Sequence, residues 1–295
     1  MPSVKANGIE IAYDSFGTRA DPALLLIRGF SGQMLGWDED FCGAIAREGY
    51  FVLRFDNRDV GLSTKFDAVG APDMGKLAVA LQSGGDVTVP YRLEDMADDA
   101  VGLLDALSIE RAHVCGVSMG GMIAQLVAIR HPQRLRSLIS YMSTTGEPGL
   151  PPATPQAQAA IISPPPEGRE AAIEHTVEVH RALAGDELGF DEAWTRDMAE
   201  RSWERSSYSD GALRQMAAIV AARPRTRALA SVRVPTLVLH GSADPIIPVE
   251  HAHQTAQAIP GAELVVIEGL GHDIGPPGWP FSIPTIVEHL RKVDA

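Results

Sequence analysis

The chain has 295 residues, 45% of them hydrophobic, which is enough for one large α/β domain or two small ones around a buried core. Its net charge of −13 argues against nucleic acid as a partner, because a surface that follows a phosphate backbone needs clustered cations. No uninterrupted apolar run reaches the roughly 18 residues of a helical membrane span, and the opening MPSVKANGIEIAYDSFG lacks the apolar core of a signal peptide. Two cysteines, Cys42 and Cys115, lie in apolar surroundings and read as buried thiols, not a disulfide framework. A cytoplasmic enzyme with no membrane partner is the expectation.

The elements begin with a hairpin. Val4–Ala6 and Ile9–Tyr13 flank Asn7-Gly8, a dipeptide that accepts the positive φ angles of a tight turn. Apolar runs at Ala23–Ile27 and Phe51–Phe55 follow, with a helical pattern from about Trp37 to Arg47 between them. A helix near Leu93–Leu107 places Met96, Ala100, Leu103, Leu104 and Leu107 on one face. Its other face carries Glu94, Asp95, Asp98 and Asp99, which reads as a solvated surface and not as a metal site. Further strands are expected at Ala112–Val117, Leu135–Tyr141, Thr236–His240 and Glu263–Ile267. Near-continuous apolar strands alternating with helices predict an α/β fold: a mostly parallel sheet covered on both faces.

The alternation stops between Thr144 and about Ala230. The segment opens with prolines, Glu147-Pro148-Gly149-Leu150-Pro151-Pro152 and then Ser163-Pro164-Pro165-Pro166, which stiffen its entry. Helical patterns follow at about Glu170–Ala184, Asp191–Arg205 and Asp210–Ala222, with no strand-like run. This predicts a core domain of residues 1–143 and 229–295, and a helical cap, or lid, of residues 144–228.

The most informative stretch is Val114-Cys115-Gly116-Val117-Ser118-Met119-Gly120-Gly121-Met122. It carries G-x-S-x-G between a predicted strand and a helix over Met119–Arg130, the context in which that motif is meaningful. The serine then sits on a sharp turn, with its hydroxyl above the sheet and the Met119 amide beside it at a helix N-terminus. A serine hydroxyl needs a base. Of nine histidines, His272 follows the last strand on the glycine-loosened loop Glu268-Gly269-Leu270-Gly271-His272-Asp273. An acid to orient it is expected earlier in the chain. Asp244, in Gly241-Ser242-Ala243-Asp244-Pro245 after the strand Thr236–His240, supplies it. Asp273 cannot easily reach its own neighbour's ring, and Tyr141-Met142-Ser143 offers no acid. The chain order Ser118, Asp244, His272 is that of the nucleophile-elbow hydrolases.

With these residues in place, the chain resembles serine hydrolases of the α/β-hydrolase superfamily over essentially its whole length. Phe55-Asp56-Asn57-Arg58-Asp59-Val60-Gly61-Leu62-Ser63 is similar to the superfamily's D-x-R-G-x-G-x-S loop, but has Asp59 where glycine is usual. That version, with the Ser-Met-Gly elbow, resembles the aclacinomycin methylesterase branch. The resemblance implies that the loop after Ala23–Ile27 supplies a second oxyanion donor. Its His-Gly-x motif falls on Arg28-Gly29-Phe30, so the Phe30 amide pairs with that of Met119. Arg28 replaces the usual His. It is expected to brace the loop by an ion pair, with Asp56 as the candidate partner, to contact an acidic or polar substrate group, or to be simply exposed.

The expected activity is hydrolysis of small to medium carboxylic esters through an acyl-enzyme, with no metal or organic cofactor. A carbon–carbon bond hydrolase, an enol-lactonase and a cofactor-free perhydrolase would use the same triad, and a ligand-binding receptor on this fold is a rival of another class. Trp194, Trp203, Tyr208 and Met216 of the cap are candidates to line the substrate pocket. Oligomeric state is not legible.

Overall fold

The computed structural model describes residues 1–83, 87–185 and 187–295. Eight strands form one sheet: β1 (Ser3–Ala6), β2 (Ile9–Phe16), β3 (Ala23–Ile27), β4 (Phe51–Phe55), β5 (Ala112–Val117), β6 (Leu135–Tyr141), β7 (Thr236–Gly241) and β8 (Glu263–Ile267). Their spatial order is β1-β2-β4-β3-β5-β6-β7-β8. β1 and β2 pair antiparallel across Asn7-Gly8, with Ala6 opposite Ile9, and Asn7 and Gly8 adopt φ of 48° and 79°. From β4 onward the pairs are parallel. Strands β4, β3, β5 and β7 are buried at every position, and β6 between β5 and β7 at all but one, as strands covered on both faces must be.

Strand alternation sends side chains to two separate cores. Leu25 and Ile27 of β3 join the core built on α3 (Leu93–Ala106) and α4 (Met119–Arg130). Leu24 and Leu26 join the one built on α1 (Glu39–Ala46) and the C-terminal helix (Trp279–Asp294). The chain winds one way from β3 to β4 and the other way from β5 on. A parallel sheet opens a crevice at such a switch, outside the carboxyl ends of its strands. β3 and β5 flank it, and the loops after both carry candidate site residues.

Between β6 and β7 lies an all-helical insert containing helices Pro155–Ile162, Arg169–Ala184, Glu192–Arg205 and Gly211–Val220. The first is absent from the sequence expectation although Thr154 caps it and Pro155 occupies its first turn. Helix α2 (Met74–Gln82) and a single turn at Thr226–Leu229 are also additions. Among the described residues, no helix is long and apolar enough to cross a membrane.

Asp99 corrects the reading of α3. It is buried and not solvated, because Arg58 grips both its carboxylate oxygens at 2.6 and 2.7 Å and Asn7 adds a third bond at 2.9 Å. Burial pushes its carboxyl up from the ordinary carboxylate range, and the bonds from Arg58 work against that shift. Asp59, the departure from the usual glycine, has a structural role. It holds φ at 67°, and its carboxylate takes two 2.9 Å bonds from Arg214 of the insert. Both partners are almost fully buried. Removing one partner of a buried ion pair leaves the other uncompensated, which costs about 3–5 kcal/mol. Asp59→Ala should therefore lower the stability read by urea unfolding by that order, and adding Arg214→Met should restore most of the loss.

Candidate active site

Ser118 joins β5 to α4 with φ 57° and ψ −122°, a conformation that residues bearing a side chain seldom adopt. Three glycines make the turn sterically feasible. A Cβ on Gly116 would lie 2.0 Å from the Gly120 carbonyl oxygen, and one on Gly120 would lie 2.2 Å from that of Ile27. One on Gly121 would meet Ser143 at 2.4 Å. The Ser118 N–H donates to the Tyr141 carbonyl at 2.9 Å, and the Ser118 carbonyl accepts from the Ser143 hydroxyl at 2.8 Å. The backbone is thus fixed from β6, while the hydroxyl faces a cavity.

The loop after β3 passes directly beside this turn, since a Cβ on Gly29 would stand 3.1 Å from that of Ser118. Asn57 Nδ2 holds the Arg28 carbonyl at 2.9 Å, and Gln215 Oε1 of the insert accepts the Ser31 N–H at 2.8 Å. Neither the Phe30 nor the Met119 N–H donates to another group among the described residues. Both residues line the cavity with Ser118.

The loops after β7 and β8 are joined to each other. Ser242 and Ala243 donate N–H groups to Ile267 and Leu270 at 3.0 Å, and Ser242 Oγ accepts from Gly269 at 2.8 Å. This brings Asp244 Oδ2 to 2.6 Å from His272 Nδ1. A carboxylate only accepts, so Nδ1 carries the proton and Nε2 is left as the free lone pair of the neutral ring. The other Asp244 oxygen takes the N–H groups of Ile246 and Ile247 at 3.0 and 2.8 Å. The insert reaches this loop too: the His272 N–H donates to the Leu183 carbonyl at 2.7 Å. A Cβ on Gly271 would lie 2.0 Å from the Ala184 carbonyl oxygen, so that docking requires glycine.

Ser118 and His272 therefore share the wall of one cavity of about 320 Å³. The Ser118 hydroxyl makes no hydrogen bond among the described residues, which suits a nucleophile–base contact that tightens when substrate binds. Most of the remaining wall is apolar, with Met122, Met216, Ile219 and the segment Leu150–Ala153 contributing. A polar pair, Thr144 and His251, is also present, which sequence reasoning missed. His251 is fully engaged, with Nδ1 2.7 Å from the Thr144 hydroxyl and Nε2 2.9 Å from the Pro151 carbonyl, so it does not compete as a base. Nothing local in the sequence pairs positions 144, 151 and 251.

Four expectations are corrected. Arg28 does not pair with Asp56. That carboxylate is taken by Arg205 of the insert at 2.6 Å and by the N–H groups of Met34 and Leu62. Trp194 does not line the cavity; its indole N–H donates to Asp38 at 3.0 Å, and its ring meets Trp279 edge-on at 6.2 Å. Trp203 is half-buried in its helix and is not part of the cavity wall either. Tyr208 belongs to the Arg214 network, leaving Met216 as the pocket candidate the structure supports.

Comparison with known proteins identifies the family. The family model described as "alpha/beta hydrolase fold" matches residues 22–276. The chain belongs to the α/β-hydrolase family. The hydrolase is 31% identical to rhodomycin D methylesterase of Streptomyces sp. strain C5 over 88% of its length and 87% of that protein's. It is 29% identical to the rhodomycin D methylesterase of Streptomyces peucetius, with the same coverage. The enol-lactonase of Burkholderia xenovorans LB400 superposes with a TM-score of 0.74 at 26% identity, covering 98% of this chain and 100% of that one.

The Asp244 environment gives the hydrolase a pH signature. Burial pushes its carboxyl up, but His272 and His240 outweigh burial and hold it well below the ordinary carboxylate range. A depressed folded-state pKa contributes stability that is present above the unfolded value of about 3.9 and is lost as pH falls through the folded value. The stability gap between wild type and Asp244→Asn, read by denaturant unfolding, should accordingly narrow as pH drops below about 4.

Proposed function

We propose that this carboxylic ester hydrolase acts by acyl transfer from ester to Ser118 and then to water. The 2.6 Å Asp244–His272 bond, on a loop that shares a cavity with Ser118, carries the reading. His272 Nε2 takes the Ser118 proton as Oγ attacks the ester carbonyl. The tetrahedral oxyanion is held by the Phe30 and Met119 amides. His272 returns the proton to the leaving alcohol, and Asp244 keeps the ring oriented and stabilises the imidazolium. Water enters, gives a proton to the same histidine, and attacks the acyl group. Collapse releases the acid and returns the proton to Ser118. Each oxyanion donor is worth about 10²–10³ in rate, because it is aimed at charge that exists only during reaction.

Residues 144–228 act in this reading as a cap that supplies one wall of the pocket, through Leu150–Ala153, Met216 and Ile219. A mostly apolar cavity of about 320 Å³ suits compact esters better than long acyl chains. A lactone is an internal ester and fits the same chemistry, and the fold likeness to an enol-lactonase supports including one among test substrates.

Ser118→Ala should lower hydrolysis of short p-nitrophenyl esters by about 10⁴-fold or more with the far-ultraviolet circular dichroism unchanged. A fluorophosphonate should label wild type at Ser118 and leave the variant untouched. Turnover retained in the variant would remove Ser118 from the mechanism.

A further inference from the structure

Arg28, on the loop that carries Phe30, has no role in the reaction. Its guanidinium lies against the backbone of the loop that follows it. A Cβ on Gly32 would come within 2.9 Å of Nε, and one on Gly36 within 2.4 Å of Nε and 2.9 Å of Nη2. The two glycines are therefore the platform on which the arginine is laid. Nε is buried against them with no hydrogen-bond partner. No carboxylate forms an ion pair with Arg28 among the described residues, and none of its nitrogens donates to a protein acceptor. Burial lowers its pKa to about 10, with the charge of Asp273 opposing that shift, so it remains a cation at neutral pH.

Asp273, the residue after His272, is otherwise engaged. It accepts from the Gly275 N–H and stands 3.4 Å from His180 Nδ1. Arg28 is thus a cation that feels the charge of Asp273 but has no direct ion pair or hydrogen bond among the described residues; it is half-buried as a residue, and of its nitrogens only Nε is both enclosed and unpartnered. It is two residues before Phe30 and contributes nothing to the wall of the apolar cavity. A charge held against protein without a hydrogen-bonded partner is costly, and a bound carboxylate would lower that cost. The free Nη edge of an arginine is a two-pronged donor that matches a carboxylate.

We propose that Arg28 is the receptor for a carboxylate carried by the ester substrate, placed off the apolar cavity beside the loop of Phe30. The enzyme then prefers esters that are also acids, with the apolar half of the substrate in the cavity and the acidic half on Arg28. This builds on the esterase reading but does not share its test.

Two matched pairs distinguish acyl-side from alcohol-side recognition: mono-4-nitrophenyl glutarate against 4-nitrophenyl pentanoate, and 4-butanoyloxybenzoate against 4-butanoyloxybenzamide. In one pair wild type should favour the acid by about tenfold or more in kcat/KM, the worth of a charge-assisted bond, mainly through KM. Arg28→Met should abolish that preference while altering the neutral esters little, and Arg28→Lys should keep part of it. Because Met replaces an unpartnered cation, its Tm should equal or exceed that of wild type. Absence of any preference in wild type, or an equal loss on acid and neutral esters with a fallen Tm, would overturn the proposal in favour of a bracing role. Glutarate binding to Ser118→Ala, measured by calorimetry and lost in Ser118→Ala/Arg28→Met, tests the receptor without turnover. If ester hydrolysis fails but Arg28-dependent binding persists, the receptor stands and the mechanism falls.

Discussion

The rest of the site depends on holding Ser118 at a positive φ. A residue with a side chain in this region costs about 1–3 kcal/mol, and it persists only where its surroundings over-determine it. Here they do so from three sides. β5 and β6 fix its backbone through Tyr141 and Ser143, Gly116 and Gly120 let the turn fold onto itself, and Gly29 lets the neighbouring loop press against it. The contact between Gly120 and the Ile27 carbonyl also sets the distance between the serine turn and the loop of Phe30. The strain that exposes the hydroxyl thus also brings the two unpaired amides to one cavity.

The second structural hub is the run Asp56-Asn57-Arg58-Asp59 after β4, four consecutive buried polar residues. Each ties a different element to the sheet. Asp56 binds Met34, Leu62 and Arg205; Asn57 holds the Arg28 carbonyl; Arg58 grips Asp99 of α3; Asp59 takes Arg214. Isolated, each would be a costly buried polar group; here each has at least one partner, with Asn57 Oδ1 the one carboxylate or amide oxygen of the run left without a hydrogen bond among the described residues. The usual glycine at position 59 would leave Arg214 only the more distant and exposed Asp67 carboxylate, so this departure from the family loop and the arginine in the insert explain each other.

Strand positions were legible because each is an apolar run with a polar or glycine boundary. Ala23–Ile27, Phe51–Phe55, Ala112–Val117, Leu135–Tyr141 and Glu263–Ile267 occur as read. The grouping of Ser118, His272 and Asp244 was legible too, since an α/β chain order and strand ends bring them to one edge. Met74–Gln82 was not, because it keeps only Leu77 of its described side chains buried and so has no apolar stripe to betray a helix. The prolines around Thr154 concealed the helix that Thr154 caps. The misassigned partners share one physical cause. Arg28 and Asp56 do end neighbouring strands, but Arg205 arrives from the insert and occupies the carboxylate first. Asp99 looked solvated only because Arg58 and Asn7 are distant in sequence. Pairing between remote segments leaves no periodicity to read.

That remote pairing changes how the insert should be understood. Gln215 holds both the Ser31 N–H of the loop after β3 and the Arg58 carbonyl, while the Leu183 carbonyl holds the His272 N–H. One helical segment therefore grips the loop that carries Phe30 and the loop that carries the histidine. A cover that only excluded water would need neither bond. Displacing these helices would release both loops at once, and a displacement of about 1 Å in a reacting group is enough to cost roughly 10²-fold in rate. The insert is better described as a buttress that also forms the pocket wall, so changes to its helices that touch no substrate should still be felt in the chemical step. The glycines at 29, 32 and 36 fit the same design. The first lets the loop lie on Ser118 and the other two seat Arg28, so the gripped loop presents an amide on one side and a cation on the other.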